Sequence, residues 1–160
     1  MKTKLSNILS SAVLAASFLC ITAQADDRDD AVDLVRKIYK FDRQTFIARN
    51  MTLTEKESVD FGPLYQSYRA EMDKLGDSLV KLVLEYKDLY PDISDKDAAR
   101  LLKQYLVLEK EHGEKQAQYF KRAAKILPAA KVLRWAQLEN RMDLQLRLQL
   151  AGAIPMVPGN

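Results

Sequence analysis

The sequence predicts an all-α protein of four helices built on a long antiparallel hairpin, and three observations predict it. Apolar residues recur at three- and four-residue spacing over most of the chain, the period of a helical face. Gly and Pro number only five each in 160 residues and fall mainly between the periodic runs. One run, from Phe61 to Leu89, keeps strict heptad spacing over about four repeats, the pattern of a coiled-coil seam. At about 1.5 Å per residue each arm of such a hairpin would approach 50 Å, so an elongated molecule is expected.

Ahead of the helices, residues 1–25 read as an export leader. Lys2 and Lys4 supply the positive start, the run from Ala12 to Thr22 is apolar, and Ala23-Gln24-Ala25 is a small-x-small site for cleavage after Ala25. That run is shorter than the roughly 20 apolar residues a bilayer span needs, so no stable membrane anchor is expected. Cys20 is the only cysteine, Leu19 stands where a lipid-anchor signal wants a small residue, and cleavage would discard the thiol. The expected mature protein is a single helical domain over 26–160, located in the periplasm and held without disulfides. The leader takes two of 25 bases and none of 22 acids, leaving a mature balance of +1. Nucleic-acid binding wants a clear positive excess to displace counterions, so that class is set aside.

The first helix, over about 29–49, rests on Ala31, Leu34, Val35, Ile38, Phe41, Thr45 and Phe46, with acids at its start where the helix dipole favours them. The second, over about 54–90, opens on Leu53-Thr54-Glu55-Lys56-Glu57. There Thr54 can accept from the Glu57 amide while Glu57 reaches back to the cap. Its seam is Phe61, Tyr65, Tyr68, Met72, Leu75, Leu79, Leu82, Tyr86 and Leu89, with a kink expected at Pro63. Tyr90-Pro91 ends it. Ser94, with Asp97 three residues on, caps a third helix over about 95–126, and so short a connection makes the pair antiparallel. Pro128 is placed as the first residue of a fourth helix over about 128–151. Leu144, Leu146, Leu148 and Leu150 alternate like a strand, but Leu, Gln and Arg favour helix and no β-branched residue interrupts them. As a helix this stretch is apolar on two sides, which predicts a partner surface and a homodimer.

Catalysis has little material: one His, no mature Cys, no Gly-rich phosphate loop, no Ser in a strained-turn motif, so no enzyme and no cofactor are expected. Glu109 and His112 form a Glu-x-x-His pair that could ligate a metal from one helical face, but a second copy is missing. His112 falls on the apolar stripe, so a core or interface histidine is the expected role. Tyr65, Tyr68, Tyr86, Tyr105 and Tyr119 sit at helical spacing among Leu and Met, and should pack with their hydroxyls turned outward. Charge is unevenly spread: residues 54–90 carry eight acids and five bases, residues 110–134 seven bases and two acids. The opposed signs can steer the pairing of the hairpin, or make a basic surface for acidic, partly unfolded chains.

The exported helical pattern with Leu53-Thr54-x-x-Glu57 resembles the Spy and CpxP group of periplasmic stress proteins, whose hallmark is Leu-Thr-x-x-Gln. Glu57 replaces the Gln and keeps the capping role, and a second copy before the last helix is degenerate, as Leu127-Pro128-Ala129-Ala130-Lys131. Phe61-Gly62-Pro63-Leu64-Tyr65, Gln137-Leu138-Glu139-Asn140 and the ending Ala153-Ile154-Pro155 are similar to a related set of exported bacterial proteins. The resemblance implies a bent helical hairpin that dimerises into a cradle and binds unfolded polypeptide without ATP. The expected function is therefore a periplasmic chaperone-like protein of envelope stress, with Leu144, Leu146, Leu148 and Leu150 for adhesion and Lys121, Arg122, Lys125 and Arg134 for attraction. The alternatives are an envelope regulator that binds one protein partner and, more remotely, a metal sensor.

Overall fold

A computed structural model describes residues 43–159; the leader, Cys20 and the first part of the expected first helix lie outside the described residues. Four helices and no strand occur among the described residues: α1 (Arg43–Met51), α2 (Glu55–Leu89), α3 (Asp95–Ala123) and α4 (Ala129–Ala153). The stretch from Leu144 to Leu150 is helical, as its composition implied.

The caps hold as read from the sequence. Thr54 Oγ1 accepts from the Glu57 amide at 3.3 Å, and Glu57 Oε2 accepts from the Thr54 amide at 2.7 Å, closing the capping box of α2. Ser94 caps α3 through the Asp97 amide at 3.1 Å. Helix α2 runs unbroken through Pro63, whose own carbonyl accepts from the Ser67 hydroxyl at 2.9 Å. Two ends differ by a few residues. Helix α3 stops at Ala123, not 126, because the Lys125 and Ile126 amides turn to carbonyls three residues back, Arg122 at 3.1 Å and Ala123 at 3.0 Å, tightening the last turn before Leu127 enters the core. Pro128 is the cap of α4, with an extended ψ of 143°, and the helix begins one residue later.

Cross-helix contacts set the topology. Lys115 Nζ lies 3.0 Å from Glu71 and Arg100 pairs with Glu85, so α2 and α3 are antiparallel. Arg147 meets Glu109 at 2.9 Å while Gln116 meets Asp143 at 2.9 Å, which makes α3 and α4 antiparallel. Arg43 contacts Glu139 and Asp143 while Arg134 donates to the Asn50 carbonyl, so α1 runs antiparallel to α4. The order is up-down-up-down, with α1 against α4 and Thr52, at a left-handed φ of 51°, in the tight link to α2. Two bases of residues 110–134 pair with acids of α2: Lys115 with Glu71 within the hairpin, and Lys131, from α4, with Glu57.

The main core gathers Ile47 and Met51 of α1, Phe61, Leu64, Tyr65, Tyr68 and Met72 of α2, Tyr119 and Ala123 of α3, and Trp135, Leu138 and Met142 of α4. Trp135 is fully buried, with the rings of Phe61, Tyr68 and Phe120 at 5.1, 5.1 and 4.8 Å in edge-to-face contact. The α1 face differs from the one expected: Arg43, Ile47 and Met51 point inward, with Phe46 at the margin. Nearness to α4 selects this face because Arg43 has carboxylate partners there. Two stability predictions follow from this packing. Thr54→Ala should cost about 1 kcal/mol in urea unfolding through loss of the cap. Trp135→Ala should cost about 3–5 kcal/mol, since four helices lose their shared contact.

Candidate functional site

Beyond the aromatic core, the seam of α2 changes its task. Leu75, Leu79 and Leu82 of α2, Leu101, Leu102, Tyr105 and Leu108 of α3, and Leu146 and Leu150 of α4 line a cleft of about 780 Å³. Its lining is mostly apolar. Leu146 and Leu150 make a small cluster with Leu79, Val80 and Ile154 on one wall, while Leu102 and Tyr105 stay 57% and 41% exposed at the mouth. Past Ile154 the chain is extended, and Ile154, Pro155, Met156 and Val157 line the far end. The Tyr86 hydroxyl holds this tail by donating to the Pro155 carbonyl at 2.6 Å.

The near end of the cleft is polar and internally neutralised. Arg43 Nη1 donates to Glu139 Oε2 at 3.3 Å and to Asp143 Oδ1 at 2.9 Å. Glu139 is fully buried and its other oxygen accepts from Trp135 Nε1 at 3.1 Å. Gln116 Nε2 donates to Asp143 at 2.9 Å and to the Tyr68 hydroxyl at 3.4 Å, and His112 Nε2 lies 3.5 Å from Asp143 Oδ2. Burial raises the Glu139 carboxyl above the usual glutamate range, although Arg43 and the Trp135 N–H oppose it. Burial also works against the Arg43 charge, but Asp143 and Glu139 outweigh it and hold the guanidinium above its usual value. Burial, then the neighbouring Glu139, pushes the Tyr65 and Tyr68 phenols up.

The sequence-predicted residues separate into groups. Leu53 packs against the main core, Thr54 caps α2, and Glu57 adds an ion pair to Lys131 of α4, so this motif ties the starts of α2 and α4 together. The four leucines divide: Leu146 and Leu150 face inward, while Leu144 and Leu148 are 56% and 76% exposed on the outer face. Lys121, Arg122, Lys125 and Arg134 lie at the corner between α3 and α4, and about 24 Å of helix separates Arg134 from Leu150. The basic group and the inward leucines are therefore not one surface. All four are exposed, but Arg122 stacks 4.7 Å from the Tyr119 ring and Arg134 is held by the Asn50 carbonyl.

Glu109 and His112 do share a face, but Glu109 is taken by Arg147 and His112 by Asp143. Among the described residues, no group of three or more His, Cys, Asp or Glu side chains converges as metal ligands would. Tyr65, Tyr68 and Tyr119 pack in the core as expected, but the Tyr65 and Tyr68 hydroxyls stay inside the bundle near Glu139 instead of turning to water. Tyr68 finds its polar partner in Gln116, which donates to its hydroxyl at 3.4 Å, while the Tyr65 hydroxyl is enclosed without a hydrogen-bond partner among the described residues. Arg43 and Asp143 line the cleft without having been singled out, whereas the apolar Ile154 and Val157 marked the tail as a docked segment in the sequence. No helix of the described residues is long and apolar enough to cross a membrane. No known family profile matches the chain, and neither a curated protein nor a solved structure matches it.

The polar end predicts a measurable pH dependence. Between the ordinary glutamate value and the raised value of Glu139, the folded state keeps a proton that the unfolded chain has released. Stability from this group therefore falls as pH rises through that window. The unfolding free energy of the parent relative to Glu139→Gln should decrease from about pH 4 to pH 7, and an increase would contradict the assignment. Arg43→Leu should cost roughly 3 kcal/mol at neutral pH, since it strands a buried carboxylate, and less at about pH 4, where Glu139 is neutral.

Proposed function

We propose that this is an exported, ATP-independent chaperone-like protein of the periplasm, one that holds apolar segments of unfolded or partner polypeptides in the cleft between α2, α3 and α4. The observation that carries the reading is the cleft: about 780 Å³ walled by leucines, with exposed Leu102 and Tyr105 at its mouth. Each large apolar side chain received there gains about 1.5–3 kcal/mol gross, without directional bonding, which suits varied sequences. An amphipathic helix laid in a groove is the recognition mode such walls fit best. The charges at the polar end are already paired, so the site favours an apolar occupant over a charged one. Lys121 and Lys125, at the other end of α3, contribute long-range attraction to acidic chains.

The likeness to the Spy and CpxP group supports the same reading, through the Leu53-Thr54-x-x-Glu57 start of the hairpin. The leader-like residues 1–25 support export. The outward pair Leu144 and Leu148 is read as the contact between two copies, since apolar side chains one turn apart in water form a natural seam. Sedimentation velocity would show a dimer for the parent and a monomer for Leu148→Glu; two identical profiles remove this contact from the reading.

The central experiment is suppression of aggregation of several unrelated denatured proteins at near-stoichiometric ratio. The parent should slow all of them. Leu102→Glu with Tyr105→Glu, placed at the exposed mouth where folding tolerates them, should require about tenfold more protein for the same effect, the equivalent of about 1.4 kcal/mol. A parent without effect on any of these substrates sinks the reading. Capture of a single envelope protein with indifference to denatured bait would favour the regulator instead.

A further inference from the structure

The corner where α3 hands over to α4 is basic without interruption. From Lys115 to Leu138 the sequence holds six bases and no acid. Two of the six are committed elsewhere, since Lys115 lies 3.0 Å from Glu71 and Lys131 pairs with Glu57. The other four, Lys121, Arg122, Lys125 and Arg134, are exposed, and the turn between two antiparallel helices gathers them at one end of the bundle. Ile126 and Leu133 lie among them, 38% and 60% exposed. The two arginines are also positioned by the protein. Arg122 stands 4.7 Å from the centre of the Tyr119 ring, and Arg134 donates to the Asn50 carbonyl through Nε. An arginine bonded through Nε keeps its Nη groups, and the guanidinium fork matches the oxygens of a phosphate.

Charge is polarised between the two ends of α2 and α3. At the corner, the finish of α1 and the start of α2 add Arg49 and Lys56 against Glu55 and Asp60, which cancel, so the four exposed bases remain in excess. At the opposite end, residues 85–100 around the α2–α3 turn carry five acids and three bases. A protein charged in this sense turns its α3–α4 corner toward an extended anionic surface and its α2–α3 turn away from it. None of the four bases, nor Ile126 or Leu133, lines the leucine cleft. A helical turn that presents bases together with apolar side chains suits a sheet of phosphates laid over hydrocarbon, where charge draws it in and the apolar groups sink beneath the headgroups.

We propose that the α3–α4 corner is a peripheral docking site for anionic phospholipid membrane, with Lys121, Arg122, Lys125 and Arg134 on the headgroup phosphates and Ile126 and Leu133 in the boundary below. Such a contact is reversible and weakens with salt, unlike a membrane-spanning helix. It uses no residue of the cleft and stands apart from the client-binding reading.

Cosedimentation with lipid vesicles tests it, on the protein as the cell delivers it. The parent should bind vesicles of phosphatidylcholine mixed with phosphatidylglycerol, release them as salt rises, and ignore phosphatidylcholine alone. Equal binding to both kinds overturns the proposal. Lys121→Gln with Lys125→Gln should weaken binding about 10- to 30-fold, whereas Lys96→Gln with Lys103→Gln, the same loss of charge nearer the start of α3, should change it by less than about twofold. Equal losses in the two variants overturn the placement at the corner. Ile126→Ser with Leu133→Ser should weaken binding several-fold at unchanged helical content, and an unaltered affinity overturns the part assigned to these two side chains. Capture of soluble polyaspartate with indifference to both kinds of vesicle would overturn the membrane and give the corner to acidic polypeptides.

Discussion

Everything in this bundle is organised around one buried carboxylate. Glu139 sits without solvent contact inside a helix pair, and such a charge survives only where it is bonded on both oxygens. One oxygen takes the indole N–H of Trp135 from the same helix and the other takes Arg43 from α1. Trp135 in turn is enclosed by rings from α2 and α3, so the requirement of a single glutamate to be satisfied engages all four helices. Arg43 is shared with Asp143, which also receives Gln116 of α3. A hydrophobic core of this size could tolerate many packings. The geometry of these few polar bonds admits one relative placement of α1, α3 and α4.

The same network divides the molecule. On one side of it the helices close over aromatic rings and sulfur side chains, and the space is filled. On the other side leucines of α2, α3 and α4 face one another across a cleft that the described residues leave open. Packing theory explains the contrast. Trp, Tyr and Phe are large enough to fill the centre of a four-helix arrangement, whereas the leucines of α2, α3 and α4 line the cleft without filling it. A tail held by one tyrosine hydroxyl at Pro155 narrows the far end and leaves the mouth beside Leu102 and Tyr105.

Local signals in the sequence were legible because they involve neighbours within a turn or two. The capping box at Thr54 and Glu57, the cap at Ser94, the antiparallel hairpin and the helical state of 144–150 all follow from residues at most four positions apart. Helix ends at Ala123 and Ala129 were placed within three residues for the same reason. The inward turn of Arg43, Ile47 and Met51 was not legible, since the face of α1 is chosen by partners 96 and 100 residues away. Nor could the pattern tell that Tyr65 and Tyr68 would turn toward a buried glutamate, because Glu139 reads by its type as a surface residue.

The candidate site shows the same boundary. Periodicity alone indicated that Leu144, Leu146, Leu148 and Leu150 form two opposite flanks, which is a property of one helix and needs no partner. Which flank is covered, and by what, was decided by the placement of α4 over α2, and that put Leu146 and Leu150 inside and Leu144 and Leu148 in water. Likewise the sequence by itself determined four helices, their caps and the opposed charge of their segments. The tertiary structure alone separated the basic corner at Lys121 and Lys125 from the leucine cleft, and paired Glu109 with Arg147 and His112 with Asp143. The reason is physical: a helix depends on bonds four residues apart, whereas a cleft depends on how helices are placed against one another, and long-range packing sets that placement.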